Sequence, residues 1–218
     1  MDKINSKTDR ELSIVSDEFV WDGSNESEAH QYLAKPIIDI LSFSSAKTVL
    51  DLGCGNGALS YYVNNEGFDV AGCDFSETGV ALAKKQYPNM RFFQQDITNE
   101  LPDEHVGKYD AVISAEVVEH LLLPRKLMLN ANAALKPGGV FVLTTPYHGY
   151  WKNLALALSN KFDEHWHPLR DFGHIKFFSR NTITALFEEF EFQNIQFKRV
   201  GRIPILACSM VISGTKSL

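Results

Sequence analysis

Val49-Leu50-Asp51-Leu52-Gly53-Cys54-Gly55-Asn56-Gly57-Ala58-Leu59-Ser60 passes from apolar, β-branched residues through three glycines into a helical pattern. The first part has the character of a buried strand. Glycines at alternate positions let the backbone turn sharply with φ > 0 and let a ligand lie against bare main chain. Strand, glycine turn and helix N-terminus together make a nucleotide-sized binding edge. Gly53, Gly55 and Ala58 also satisfy the G-x-G-x-x-G/A pattern of dinucleotide-binding folds, so the spacing is ambiguous. Asp51 tilts the reading. A carboxylate at the strand's end repels a pyrophosphate and attracts a cationic ligand that carries an amino group and a sulfonium.

Working outward, Phe68–Asp74 reads as a second strand that ends in an acid about twenty residues after the turn, where nucleotide folds hold ribose hydroxyls. Ser76 is a candidate N-cap for a helix that runs to about Tyr87. Arg91–Ile97 reads as a third strand and closes in a further acid, Asp96, which also suits a turn because Thr98 and Asn99 follow. Acids after three successive strands are of little use to a dehydrogenase. Tyr109–Ser114 and Val140–Thr145 read as strands four and five. Between them lies a helix begun by Pro124, carrying Leu127, Ala131, Ala134 and Leu135, and closed by Pro137-Gly138-Gly139. Ser179–Phe190 reads as a helix, and Phe192–Val200 and Ile205–Ser213 as two last strands. Before the first strand, Ser27–Phe43 has helical periodicity, with Pro36 expected to kink or divide it. The expected fold is α/β, a doubly wound, mostly parallel sheet of seven strands. One domain covers 1–218, with an N-terminal helical cap over 1–45 and a lid insertion after strand five over 146–178.

The first motif resembles that of the class I S-adenosylmethionine-dependent methyltransferases, and the acids after strands two and three extend the resemblance. It implies S-adenosylmethionine as cofactor, bound by Asp51, Gly53, Cys54, Gly55, Gly57, Asp74, Phe75 and Ala115, with Asp96 facing the adenine amino group and Ile97 packing on its ring. The helix before strand one usually covers the cofactor in this class, and Trp21 and His30 are candidates to line the site, although a surface or core role suits each better.

Directly after strand four comes Glu116-Val117-Val118-Glu119-His120. On a helical turn, positions i, i+3 and i+4 share a face, so Glu116, Glu119 and His120 would converge beside the cofactor turn. Two carboxylates and an imidazole suit Mg²⁺ or Mn²⁺. The bland alternative is that the acids favour a helix N-terminus and His120 is satisfied by a carbonyl. Glu-x-x-Glu-His here resembles the ubiquinone-biosynthesis O-methyltransferases and the small-RNA terminal 2′-O-methyltransferases. The later segment Asp171-Phe172-Gly173-His174-Ile175-Lys176-Phe177-Phe178 looks like one in the RNA enzymes. The resemblance implies metal ligation by Glu116, Glu119, His120 and His174, with Glu119, His120 and His174 catalytic. Without a metal, His120, His148 or His174 is the candidate general base. Tyr147–Arg170 departs from the quinone enzymes. It is rich in aromatic residues and histidines, as a lid or an acceptor-binding surface would be.

The net charge of −6 disfavours a broad nucleic-acid-gripping surface, so DNA is not an expected partner and RNA methylation ranks lower. No stretch reaches about 18 apolar residues, so no transmembrane segment is expected. Weak contact with a membrane surface stays open, with Asp163 and Glu164 against it. Cys54, Cys73 and Cys208 form no C-x-x-C pair and read as reduced thiols of a cytoplasmic protein, monomeric or homodimeric. The expected function is O-methylation of a small hydroxylated acceptor, a phenol, quinol or sugar, with metal assistance where a metal binds. A nicotinamide-dependent oxidoreductase and a non-catalytic cofactor-binding domain remain as alternatives.

Overall fold

The computed structural model describes residues 28–166, 169, 172–201 and 207–218, with side chains from residue 32 onward. Trp21, the His30 side chain, His167, Arg170, Asp171 and the first 27 residues of the expected cap lie outside the described residues.

A seven-stranded sheet runs in the order β3-β2-β1-β4-β5-β7-β6. Its strands are β1 Thr48–Leu52, β2 Asp69–Asp74, β3 Arg91–Gln94, β4 Tyr109–Ala115, β5 Leu135–Pro146, β6 Gln193–Val200 and β7 Ser209–Thr215. The first five pair in parallel, and β7 is antiparallel to both β5 and β6. The helices are α1 Glu28–Phe43, α2 Ala58–Asn65, α3 Glu77–Gln86, α4 Pro124–Ala134, α5 Tyr150–Leu158, α6 Phe162–Trp166 and α7 Arg180–Glu189.

The strands are continuous apolar runs because both faces are covered. On one face Leu33, Ile37 and Leu41 of α1 and Leu59 and Val63 of α2 pack on Val49, Ile113 and Val142. On the other, Leu127 and Ala131 of α4 and Ile183 and Phe187 of α7 pack on Leu50, Val112 and Phe141. The Phe141 and Phe187 rings stack 5.3 Å apart between strand and helix. Connections reverse direction across the sheet between β1 and β4. The crevice outside the carboxyl ends of those two strands is therefore the topological switch point, where ligands bind in such sheets.

Three local expectations need correction. Of the two effects expected of Pro36, division of α1 does not occur, since the helix runs through it from Glu28 to Phe43. Leu135 leaves α4 and begins β5, opposite Tyr109, and the Pro-Gly-Gly turn then lies inside the strand's span, where the register shifts before Ala111 meets Val140. Lys216 of the β7 end holds that turn from both sides, through Gly138 N–H and Gly139 C=O. β3 ends at Gln94, so Asp96 and Ile97 stand on the turn beyond it. Ser76 is the N-cap of α3, its hydroxyl accepting from Gly79 N–H.

Candidate active site

The glycine turn leaves β1 at the switch point. Gly53, Gly55 and Gly57 all have positive φ, at 87°, 52° and 78°. A Cβ on Gly53 would overlap the Val117 side chain, so two loops, after β1 and after β4, meet there with no room for a side chain. Gly53 and Cys54 N–H both donate to Cys73 C=O of β2, at 2.8 and 2.9 Å. Asp74 is fixed in turn: Gly55 N–H donates to its Oδ2 and Ser76 N–H to its Oδ1. Cys54 and Cys73 are buried free thiols, and burial pushes both well above the usual range, which suits packing rather than chemistry.

Asp51 is buried, with Oδ2 accepting from Ser60 Oγ at 2.6 Å and Oδ1 without a hydrogen-bond partner. Burial, with the Asp74 charge adding to it, pushes its carboxyl up to about 7. A buried carboxylate oxygen left unsatisfied is costly, and a cationic hydrogen-bond donor is the group that would satisfy it. This fits the amino group of S-adenosylmethionine. Phe75 is 42% exposed beside Asp74 and free to cover a ring, and Ala115 ends β4 half-buried. Asp96 is exposed and makes the expected turn, accepting from Thr98 N–H at 2.8 Å, while Ile97 is buried in the main core.

The second constellation forms differently from the helical-turn expectation. Glu116 adopts a left-handed backbone, φ 56°, and the turn is a short 3-10 helix over Val118–His120. Among the described residues, Glu119, His120 and His174 offer ligand atoms that all lie within 4.8 Å of one another. Glu116 stands near them, held by other partners: Thr144 Oγ1 donates to its Oε1 at 2.9 Å, and Ser209 Oγ to its Oε2 at 3.5 Å.

His174 reaches the trio because its segment is strapped to the turn. Ile175 and Lys176 N–H both donate to Glu119 C=O at 3.0 Å. His120 Nδ1 donates to the carbonyls of Phe172 and Gly173, at 2.9 and 3.2 Å, which makes Nε2 the acceptor nitrogen of the ring. Thr145 Oγ1 donates to Glu119 Oε2 at 3.0 Å, and Glu119 Oε1, buried, has no hydrogen-bond partner. Burial and the nearby Glu116 raise the Glu119 carboxyl well above its usual range, and burial lifts Glu116 to about 7. His174 Nε2 lies 3.9 Å from Glu119 Oε1 without a hydrogen bond. A divalent cation between them would satisfy that oxygen, and the mixed carboxylate and imidazole donors fit Mg²⁺ or Mn²⁺.

A cavity of about 440 Å³ opens beside the trio, between the β5 and β7 ends, α1 and α5. Glu116, His174, Lys152, Tyr32 and Ser209 contribute its polar wall, and Pro146, Ala155 and Leu156 its apolar wall. Lys152 Nζ donates to Cys208 C=O at 3.4 Å. The segment expected as a lid holds α5 and α6. His148 is buried against His165, Trp166 and Phe177, and burial together with Lys152 lowers its imidazole to about 4. It is a packed residue of this segment, held neutral. Sequence patterns missed Tyr32, Thr144, Thr145 and Ser209. Each is an ordinary helix or strand residue in the sequence, and only the sheet order brings it to the site.

A family model described as a methyltransferase domain matches residues 26–197. The chain belongs to the methyltransferase-domain family. Its fold and its cofactor turn are those of the class I S-adenosylmethionine-dependent methyltransferases. A putative methyltransferase of Invertebrate iridescent virus 6 is 37% identical over 105 residues, 47% of this chain and 38% of the relative. The ubiquinone biosynthesis O-methyltransferase of Coxiella burnetii is 35% identical over 103 residues, 45% of this chain and 43% of the relative. The matched part thus spans about two fifths of these curated relatives. Among solved structures, magnesium protoporphyrin IX methyltransferase from Synechocystis PCC 6803 with bound SAH superposes with a TM-score of 0.67 at 19% identity, covering 98% of this chain and 95% of that one. The methyltransferase domain of the bacterial protein CtHen1 also gives 0.67 at 19% identity, over 88% of this chain and 100% of that one. At such identity these two likenesses speak for the methyltransferase fold alone. No described helix is long and apolar enough to cross a membrane.

Proposed function

We propose that this methyltransferase transfers a methyl group from S-adenosylmethionine to a hydroxyl oxygen of a small acceptor, with a divalent cation at Glu119, His120 and His174. The observation that carries the reading is this trio at the carboxyl edge of β4, with one buried Glu119 oxygen that has no hydrogen bond and lies 3.9 Å from His174 Nε2. Bound S-adenosylmethionine supplies an electrophilic methyl group, and a cation such as Mg²⁺ or Mn²⁺ polarises the acceptor hydroxyl. Asp51 receives the cofactor's amino group, Asp74 its ribose hydroxyls, and Phe75, Asp96 and Ile97 its base. The Gly53–Gly57 turn keeps the main chain bare for close approach. Val118–His120 and the 172–177 strap hold the trio in place before ligand arrives, so the chain's part is mainly orientation. The α5–α6 lid shields the acceptor from water. The protein acts in the cytoplasm, as a monomer or homodimer.

The curated ubiquinone-pathway O-methyltransferases favour oxygen as the receiving atom. The test offers S-adenosylmethionine with phenols, catechols and sugars, with and without a chelator, and identifies products by mass spectrometry and NMR. An O-methyl product that falls away with chelator and in Glu119→Ala is expected. Methylation at nitrogen or carbon, or O-methylation indifferent to both treatments, contradicts the proposal.

A further inference from the structure

Asn130 lies on the buried face of α4 with Leu127, Ala131 and Ala134, and is itself 5% exposed. An amide among such neighbours is costly unless its polar atoms are paired. Both are paired, and all to one loop. Nδ2 donates to Ile97 C=O and to Asn99 C=O, each at 2.8 Å, and Oδ1 accepts from Leu101 N–H at 3.1 Å. The need for this arises at the edge of the sheet. β3 is an edge strand that ends at Gln94, so the chain beyond it has no strand to pair with, and its inward backbone groups must find partners elsewhere.

The same loop carries Asp96. Asn99 N–H donates to Asp96 C=O, and Gln95 Nε2 to the carbonyls of Asp96 and Glu100, which gives the loop its shape. The bonds from Asn130 fix it to α4. One of them reaches the Asp96 carboxylate through a single rigid unit. The peptide between Ile97 and Thr98 accepts from Asn130 at its C=O and donates to Asp96 Oδ1 from its N–H, at 2.8 Å. That unit is planar, so fixing the direction of its carbonyl fixes the direction of its N–H.

We infer that Asn130 is a positioning residue for the cofactor's base: it holds the 96–101 loop, and with it the Asp96 carboxylate, and so sets the preference for adenine. The inference rests on the proposed placing of the base at Asp96 and Ile97.

The experiment titrates the full chain by calorimetry with S-adenosylhomocysteine and with S-inosylhomocysteine, in which an oxygen replaces the 6-amino group. A carboxylate accepts from the amino group and repels the oxygen, so the unsubstituted protein is expected to prefer the adenine probe by about tenfold or more. Asp96→Ala is expected to bring the two probes within about threefold of each other. Asn130→Ala is expected to do the same, and the double variant to lose no more preference than either single one. Asn130→Ser, too short to span the loop, replaces the alanine variant if that one does not fold, and thermal melts confirm the folded state at the titration temperature. A purely structural role weakens both probes alike and keeps their ratio. An Asn130 variant that retains the parent's preference therefore overturns the inference while the reading of Asp96 stands. A preference that survives Asp96→Ala, or is absent from the unsubstituted protein, overturns the reading of Asp96 and the inference with it.

Discussion

Asp51→Asn separates what the Asp51 carboxylate does for the cofactor from what it costs the fold. The side chain is 1% exposed, and one oxygen has no hydrogen-bond partner. Its carboxyl is raised from 3.8 to about 7, chiefly by burial. A raised acid stabilises the fold fully only below its unfolded value, and that contribution is lost as pH rises through the folded value. At pH 8 the charge therefore costs the ligand-free protein about 4 kcal/mol as an upper bound. Asn removes the charge and still accepts from Ser60, but it buries an amide donor that costs about 1–3 kcal/mol. The expected net is a variant more stable by about 1–3 kcal/mol at pH 8, or roughly 2–12 °C in melting temperature. The advantage shrinks by about 2–3 kcal/mol at pH 5, where the folded carboxyl is protonated. S-adenosylhomocysteine affinity falls about 10–100-fold through loss of a charged hydrogen bond to its amino group. The assays are thermal melts at the two pH values and calorimetric titration. Equal destabilisation at both pH values, or unchanged cofactor affinity, refutes the reasoning.

Gly53→Ala imposes a Cβ on a backbone at φ 87° and drives it into Val117, so about 2–4 kcal/mol of stability and measurable cofactor binding are both expected to go. Denaturant melts and S-adenosylhomocysteine titration check this, and a variant as stable as its parent contradicts it. His148 is held neutral with its pKa lowered to about 4, so its contribution to stability is complete above 6.5 and lost as pH falls from 6.5 towards 4. His148→Gln is expected to flatten the stability profile across that window, and melts from pH 7 to pH 4 that run parallel in the two proteins would contradict it.

The sheet was legible because strand one, the glycines and the acid after strand two are local signals whose order leaves few topologies. Pro137-Gly138-Gly139 misled about the end of α4, since a Pro-Gly turn closes a helix and interrupts a strand equally well. The structure uses it inside β5, anchored to Lys216 some eighty residues away. His174 was recognisable only through resemblance, because its approach to Glu119 depends on backbone bonds from Ile175 and Lys176 across more than fifty residues. Helical spacing could not foresee the backbone around Glu116, since spacing carries no information about a left-handed residue that is not glycine. Ser209 and Tyr32 had no sequence signal, as a strand serine and a helix tyrosine acquire a role only when β7 inserts between β5 and β6 and α1 packs over them.

The most direct test of cation-assisted methyl transfer at this edge is calorimetry on chelator-treated protein, titrated with S-adenosylhomocysteine and then with Mn²⁺, in parallel with Glu119→Ala. The account predicts saturable binding of S-adenosylhomocysteine by both proteins, and of Mn²⁺ by the unsubstituted protein alone. Mn²⁺ uptake that persists in Glu119→Ala, or a protein that binds S-adenosylhomocysteine but no divalent cation, contradicts it.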